Sequence, residues 1–86
     1  MYYVYLLKLS NGDVYKGFTS DLKQRFEQHR LGKVKSTMNF EPVKLIYYEA
    51  YLLKSDAMAR EIFLKTSDGS KTIKRQLANF LNTEVK

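Results

Sequence analysis

The stretch Tyr15-Lys16-Gly17-Phe18-Thr19-Ser20-Asp21-Leu22-Lys23-Gln24-Arg25-Phe26-Glu27-Gln28-His29 decides how this chain is read. It opens as a short strand and continues as a basic helix, so one element ends and another begins inside it. Gly17 and a capping residue, Thr19 or Ser20, mark the break, with Asp21 expected in the first helical turn, where a carboxylate complements the helix dipole. Gly32 supplies a C-terminal stop. Arg25 and His29 are four residues apart and share one helix face, with Leu22 and Phe26 beside them as the anchor to a core. A guanidinium and an imidazole are thus expected to point the same way, near a strand that carries Tyr15.

Working outward, Tyr2 to Leu9 is apolar on both faces, which suits the central strand of a sheet. Asn11-Gly12 is the turn, and Asp13 to Phe18 is the returning strand. A two-residue loop would pair Ser10 with Asp13 and put Tyr5 and Tyr15 on opposite faces. A three-residue loop with Gly12 in the left-handed region pairs Leu9 with Asp13 and gathers Tyr3, Tyr5, Leu7, Tyr15 and Gly17 on one face. The three-residue loop is the expectation. It sends Tyr2, Val4, Leu6, Val14, Phe18 and Lys16 to the other face.

Lys33 to Pro42 reads as a loop, with Lys33, Lys35, Ser36, Thr37 and Asn39 suited to phosphate contact. Val43 to Leu52 is a third strand with Tyr47 and Tyr48 expected in the core. Lys54, Ser55 and Asp56 then open a helix of about Ser55 to Thr66. Its Ala57, Met58, Ala59, Ile62, Phe63 and Leu64 suggest that it is largely buried, with Glu61 in its middle. Asp68-Gly69 is read as a break and Ser70 as the cap of a last helix running to about Leu81. That helix carries an apolar stripe of Ile73, Leu77, Phe80 and Leu81 opposite Lys71, Lys74 and Arg75. The tail Asn82 to Lys86 is expected to be frayed. The result is an α+β order of ββαβαα in one domain, residues 1–86.

The 86 residues can bury roughly 60–65 % of the unfolded chain's surface, enough for one core. A net charge of +6 favours a polyanionic partner. With no cysteine, disulfide scaffolds and thiolate metal sites are excluded. The apolar runs are too short and interrupted for a signal peptide or membrane span, so a soluble cytoplasmic protein is expected, with a monomer favoured and no membrane partner.

The chemistry-bearing residues are two hairpin tyrosines, Tyr5 and Tyr15, then Arg25 and His29 from the first helix and Glu61 from the second. Together they suit phosphodiester cleavage. Arg25 can hold two non-bridging phosphate oxygens and stays charged. A hard cation such as Mg²⁺ or Mn²⁺ keeps most of its water shell, so one carboxylate, Glu61, plus substrate oxygens can suffice to hold it. Tyr5, Tyr15 or His29 could act as general base. Taken singly, each has an ordinary role: tyrosines in a core, a hydrogen-bonded histidine, a surface arginine, a glutamate paired with Arg60 or Lys65. Their convergence is what points to a site.

Tyr3-Val4-Tyr5, Tyr15-Lys16-Gly17, Thr19-Ser20-Asp21-Leu22 with Arg25, and Ala59-Arg60-Glu61 with Leu64-Lys65 resemble, in order and spacing, the signatures of the GIY-YIG nuclease domain. The resemblance covers residues 2 to about 77 and is closest to the small stand-alone members. Tyr3 stands where the first signature has glycine, and Lys16 where the second has an aliphatic residue. The resemblance implies a three-stranded antiparallel sheet flanked by helices and a metal-dependent endonuclease acting on DNA or RNA, DNA more readily, in repair or recombination. It implies Tyr5 and Tyr15 as active-site tyrosines, Arg25 as phosphate ligand, His29 near the nucleophile, and Glu61 as sole carboxylate metal ligand. Lys16, Arg30, Lys33, Lys35, Lys71, Lys74 and Arg75 are the expected nucleic-acid contacts, with Gly12 and Gly17 as turn residues. The alternative is a non-catalytic nucleic-acid-binding module on the same fold.

Overall fold

The computed structural model describes residues 1–85. A hairpin of β1 (Tyr2–Lys8) and β2 (Val14–Thr19) leads into α1 (Leu22–Arg30), followed by β3 (Lys44–Tyr51), α2 (Lys54–Leu64), α3 (Ser67–Gln76) and α4 (Ala78–Val85). The sheet is antiparallel in the order β2-β1-β3, so the strand that is apolar on both faces is the central one. Val4, Leu6, Ala57, Leu64 and Ile73 form the buried core on one face, against α2 and α3. The other face carries Tyr5 and Leu7 and meets α1, whose His29 packs on Tyr5.

The hairpin register is the expected one. Leu9 N–H donates to the Asp13 carbonyl at 2.8 Å, Gly12 N–H donates to the Leu9 carbonyl at 2.9 Å, and Gly12 has φ +92°. A glycine tolerates that left-handed backbone without steric penalty. Tyr5 therefore lies opposite Gly17 and Leu7 opposite Tyr15, which puts both tyrosines on one face. On the other side of β1 the register shifts between Leu6 and Leu7, which pair with Tyr47 and Leu45. Ile46 is the bulge residue, and it packs on the core.

Several boundaries differ from the sequence expectation. Thr66, expected inside the second helix, instead caps α3, its hydroxyl accepting from Gly69 N–H at 3.0 Å. Asp68 and Gly69, read as a helix break, lie in the first turn of α3, and Ser70 is inside the helix rather than its cap. The last helix is divided at Leu77, and α4 carries the tail, expected to be loose, on to Val85; Lys86 lies outside the described residues. Tyr48 is 54 % exposed rather than core, and Met58, Ile62 and Phe63 leave the outer side of α2 open instead of buried.

Gly69 is where it is because two backbones meet there: a Cβ at this position would collide with the Phe63 carbonyl of α2. Main chain cannot step aside as a flexible side chain can. Gly69→Ala is expected to destabilise the fold by about 1–3 kcal/mol. Urea unfolding would register this as a lower midpoint at unchanged m-value.

Candidate active site

The strand-turn-helix stretch is built by a sequence of small polar contacts. Thr19 is still in the ladder opposite Tyr3, and its hydroxyl accepts from Asp21 N–H at 3.1 Å. The cap therefore falls on Asp21, not on Thr19 or Ser20: Asp21 Oδ1 accepts from Gln24 N–H at 3.1 Å. At the other end Lys33 N–H donates to the Gln28 carbonyl at 2.9 Å and Gly32 N–H donates to His29 at 3.1 Å, with Gly32 at φ +73°. That is a Schellman end with glycine in the left-handed position. It turns the chain back over α1, so the segment that follows can reach His29.

Tyr5, 1 % exposed, and His29, 0 % exposed, form the centre, with Tyr5 OH 2.8 Å from His29 Nε2. Thr37 Oγ1 lies 2.7 Å from Nδ1, itself fully buried. A neutral imidazole donates at one nitrogen and accepts at the other. The positive charge of Arg25 near the Tyr5 oxygen favours that oxygen as an acceptor, so we assign the Tyr5 hydroxyl proton to Nε2 and Nδ1–H as donor to Thr37. Tyr15 packs its ring 5.2 Å from the imidazole and 6.3 Å from the Tyr5 ring, and is half-buried. Arg25 is steered by Gln28, whose Oε1 accepts from Nη1 at 3.0 Å.

Gly17 leaves the space that the end of the Tyr5 ring and its hydroxyl fill. A side chain there would sit on the Tyr5 ring carbon and hydroxyl oxygen. The second glycine of the hairpin thus serves the site, where Gly12 serves the turn.

Burial pushes the Tyr5 phenol up to about 12, and the charges of Tyr15 and Glu61 add to this while Arg25 opposes it. Burial, with Arg25 nearby, pushes His29 down to about 4. Both groups are therefore neutral across the physiological range. For His29 the folded state binds its proton less readily than the unfolded chain, so its contribution to stability is present above about pH 6.5 and is lost as pH falls toward 4. Tyr5 acts at the other end, stabilising below pH 10 and losing that contribution as pH rises toward 12. Between pH 6.5 and 4 the wild type is expected to lose up to about 3 kcal/mol more than a His29→Gln variant. Urea denaturation at pH 7 and pH 4.5 measures the difference.

Glu61 belongs to α2, yet its charge reaches Tyr5. Its side chain is 21 % exposed and pairs with Lys65 Nζ at 3.3 Å. Lys65 is 56 % exposed, so the carboxylate is not closed off by a buried partner. Arg60, the other expected partner, is taken elsewhere: its Nε and Nη2 each donate to Glu49 at 3.0 Å. The same carboxylate accepts from Tyr47 at 2.6 Å and Tyr51 at 2.5 Å. Among the described residues no group of three His, Asp or Glu could hold a metal. A cation here would have Glu61 as its one protein carboxylate, the donor set a hard, water-rich ion accepts.

The expected nucleic-acid contacts are not gathered in one place. Arg30, Lys33 and Lys35 lie exposed at the end of α1 and in the loop after it, Arg30 in a surface pair with Glu27 at 2.7 Å. Lys71, Lys74 and Arg75 lie on α3, the opposite layer, and Lys16 turns toward that layer, its Nζ donating to Ser70 Oγ at 2.6 Å. Thr37, by sequence a loop hydroxyl suited to phosphate, is instead the buried partner of His29. Spacing gave no hint of this. The Glu49 cluster did leave a trace, because Tyr47, Glu49 and Tyr51 alternate along one strand and so share a face.

Fold and site together define a small α+β domain in which phenol and imidazole meet on one face of a three-stranded sheet, with a guanidinium and a carboxylate whose charges reach the phenol. The chain belongs to the GIY-YIG family: the model of the GIY-YIG catalytic domain matches residues 1–74. It is 38 % identical over 74 residues to UPF0213 proteins of Staphylococcus aureus, strains Mu3 and Mu50, covering 85 % of this chain and 90 % of theirs. The solution NMR structure of a UPF0213 protein from Bacillus halodurans is similar at 30 % identity and a TM-score of 0.57, covering 88 % of this chain and 85 % of that one. Among the described residues no helix is long and apolar enough to cross a membrane.

Proposed function

We propose that this chain is an endonuclease that hydrolyses phosphodiester bonds, in DNA more readily than RNA, with a divalent cation held at Glu61. The observation that carries the reading is the 2.8 Å Tyr5–His29 contact within a buried, neutral and fully hydrogen-bonded group. A neutral phenol whose proton already points at an unprotonated imidazole can take a proton from water at its oxygen as it gives its own to Nε2. His29 ends protonated, beside the negative charge that a phosphate would bring. Thr37 holds the imidazole so that Nε2 is the accepting nitrogen. Arg25 is suited to the non-bridging phosphate oxygens, and Tyr15 closes the other side of the imidazole. Mg²⁺ or Mn²⁺, when bound, supplies Lewis-acid stabilisation of phosphate charge and of the departing oxygen. Arg30, Lys33 and Lys35 would follow the strand beyond the site.

Purified protein incubated with labelled single-stranded, duplex and branched DNA and with RNA, in Mg²⁺ or Mn²⁺, is expected to cut at least one of them and to stop on chelation. Salt-dependent binding without any cutting would leave a nucleic-acid-binding module and end the nuclease reading.

A further inference from the structure

On the face of β2 opposite Tyr15 and Gly17, Lys16 reaches α3 and donates to Ser70 Oγ at 2.6 Å. Lys74 lies one turn beyond Ser70 on the same helix, and its charge acts on Lys16. Among the described residues neither ammonium has a carboxylate partner. Lys16, Ser70 and Lys74 all border one apolar hollow of about 30 Å³, whose floor includes Leu6, Val14, Ile46 and Ile73. Burial and Lys74 both push the Lys16 ammonium below its usual range, the mark of a charge lacking compensation. A lysine stem can snorkel to water, yet this one is bent onto a neutral hydroxyl beside a like charge.

We propose that Lys16, Ser70 and Lys74 form a phosphate subsite that grips the nucleic-acid backbone next to the cleaved position. This rests on the nuclease reading for its ligand, but not for its existence. An oxoanion offers the acceptors that two ammoniums require, and charge-assisted bonds of this kind are the strong ones; Ser70 Oγ, which accepts from Lys16 and donates to the Leu64 carbonyl at 3.4 Å, fixes where the Lys16 ammonium sits. Lys16 stands between Tyr15 and Gly17 on an edge strand, so a backbone crossing that edge meets the catalytic group on one side and this pair on the other. Lys71 and Arg75 extend the positive surface along α3.

The test is binding of a short duplex at several salt concentrations by wild type, Lys16→Gln, Lys74→Gln and the double variant, with inorganic phosphate titrated in parallel by two-dimensional NMR. Phosphate is expected to shift the Ser70 and Lys74 amides. If the two lysines share one phosphate, the double variant loses about 1, not 2, from the slope of log K against log salt, because one counterion release is removed. Additive losses, or no change in slope, overturn the shared subsite. Lys74 is exposed, so its variant tests the site even if Lys16→Gln perturbs the fold. Pelleting with phosphatidylglycerol vesicles that the double variant abolishes, with duplex binding untouched, would overturn the nucleic-acid assignment in favour of a lipid headgroup. Should the amides respond to duplex while wild-type protein cuts nothing in any metal, the subsite stands and the nuclease reading fails.

Discussion

Tyr5→Phe is expected to fold, to bind nucleic acid as the wild type does, and to cut it about 10²–10⁴-fold more slowly in single turnover, the usual range for losing a general acid–base group. The substitution removes one oxygen and leaves the ring, so the packing against Tyr15 and over Gly17 is retained. It takes away the oxygen that, on the proposed path, links water to the imidazole. It also leaves His29 Nε2 without its partner in a fully buried position, a loss of about 1–3 kcal/mol in stability that a denaturant titration should register. Cleavage at the wild-type rate by Tyr5→Phe would remove Tyr5 from the chemistry.

Glu61→Gln is expected to lower cleavage by about 10³-fold or more while leaving duplex affinity and stability near wild type. Gln keeps the shape of the side chain and discards the charge that a hard cation requires. The stability effect is small because the partner is the exposed Lys65, and exposed pairs of this spacing are worth a few tenths of a kcal/mol. The same change lifts one of the influences that raise the Tyr5 phenol. A variant that loses affinity and stability together would instead mark Glu61 as structural.

Much of this was legible in the residues. The apolar-on-both-faces pattern of Tyr2 to Leu9 placed β1 at the centre, and the choice between two loop lengths at Gly12 carried the functional consequence, since only one puts Tyr5 and Tyr15 on the same face. The i, i+4 pair of Arg25 and His29 and the glycine after it were local signals that tertiary structure had no reason to override. The errors cluster where local chemistry competes with tertiary contact. Gly69 reads as a breaker by propensity, yet serves as the spacer that lets α3 approach α2. Thr19 reads as a cap until one knows that it is still paired in the sheet. Met58, Ile62 and Phe63 read as buried because apolar content alone does not say which helix face meets the core, whereas Ala57 and Leu64 suffice to face it. Thr37 was beyond reach, since nothing in the spacing of a loop says that it folds back eight residues onto a helix.

The central claim is that Tyr5 and His29 act as one proton path. Single-turnover cleavage by wild type, Tyr5→Phe, His29→Gln and the double variant, at equal metal and saturating enzyme, tests it most directly. If the two form one path, either single variant removes it and the double variant is no slower than the slower single. Losses that multiply, so that the double variant falls by the product of the two, would show two independent contributions and contradict the relay.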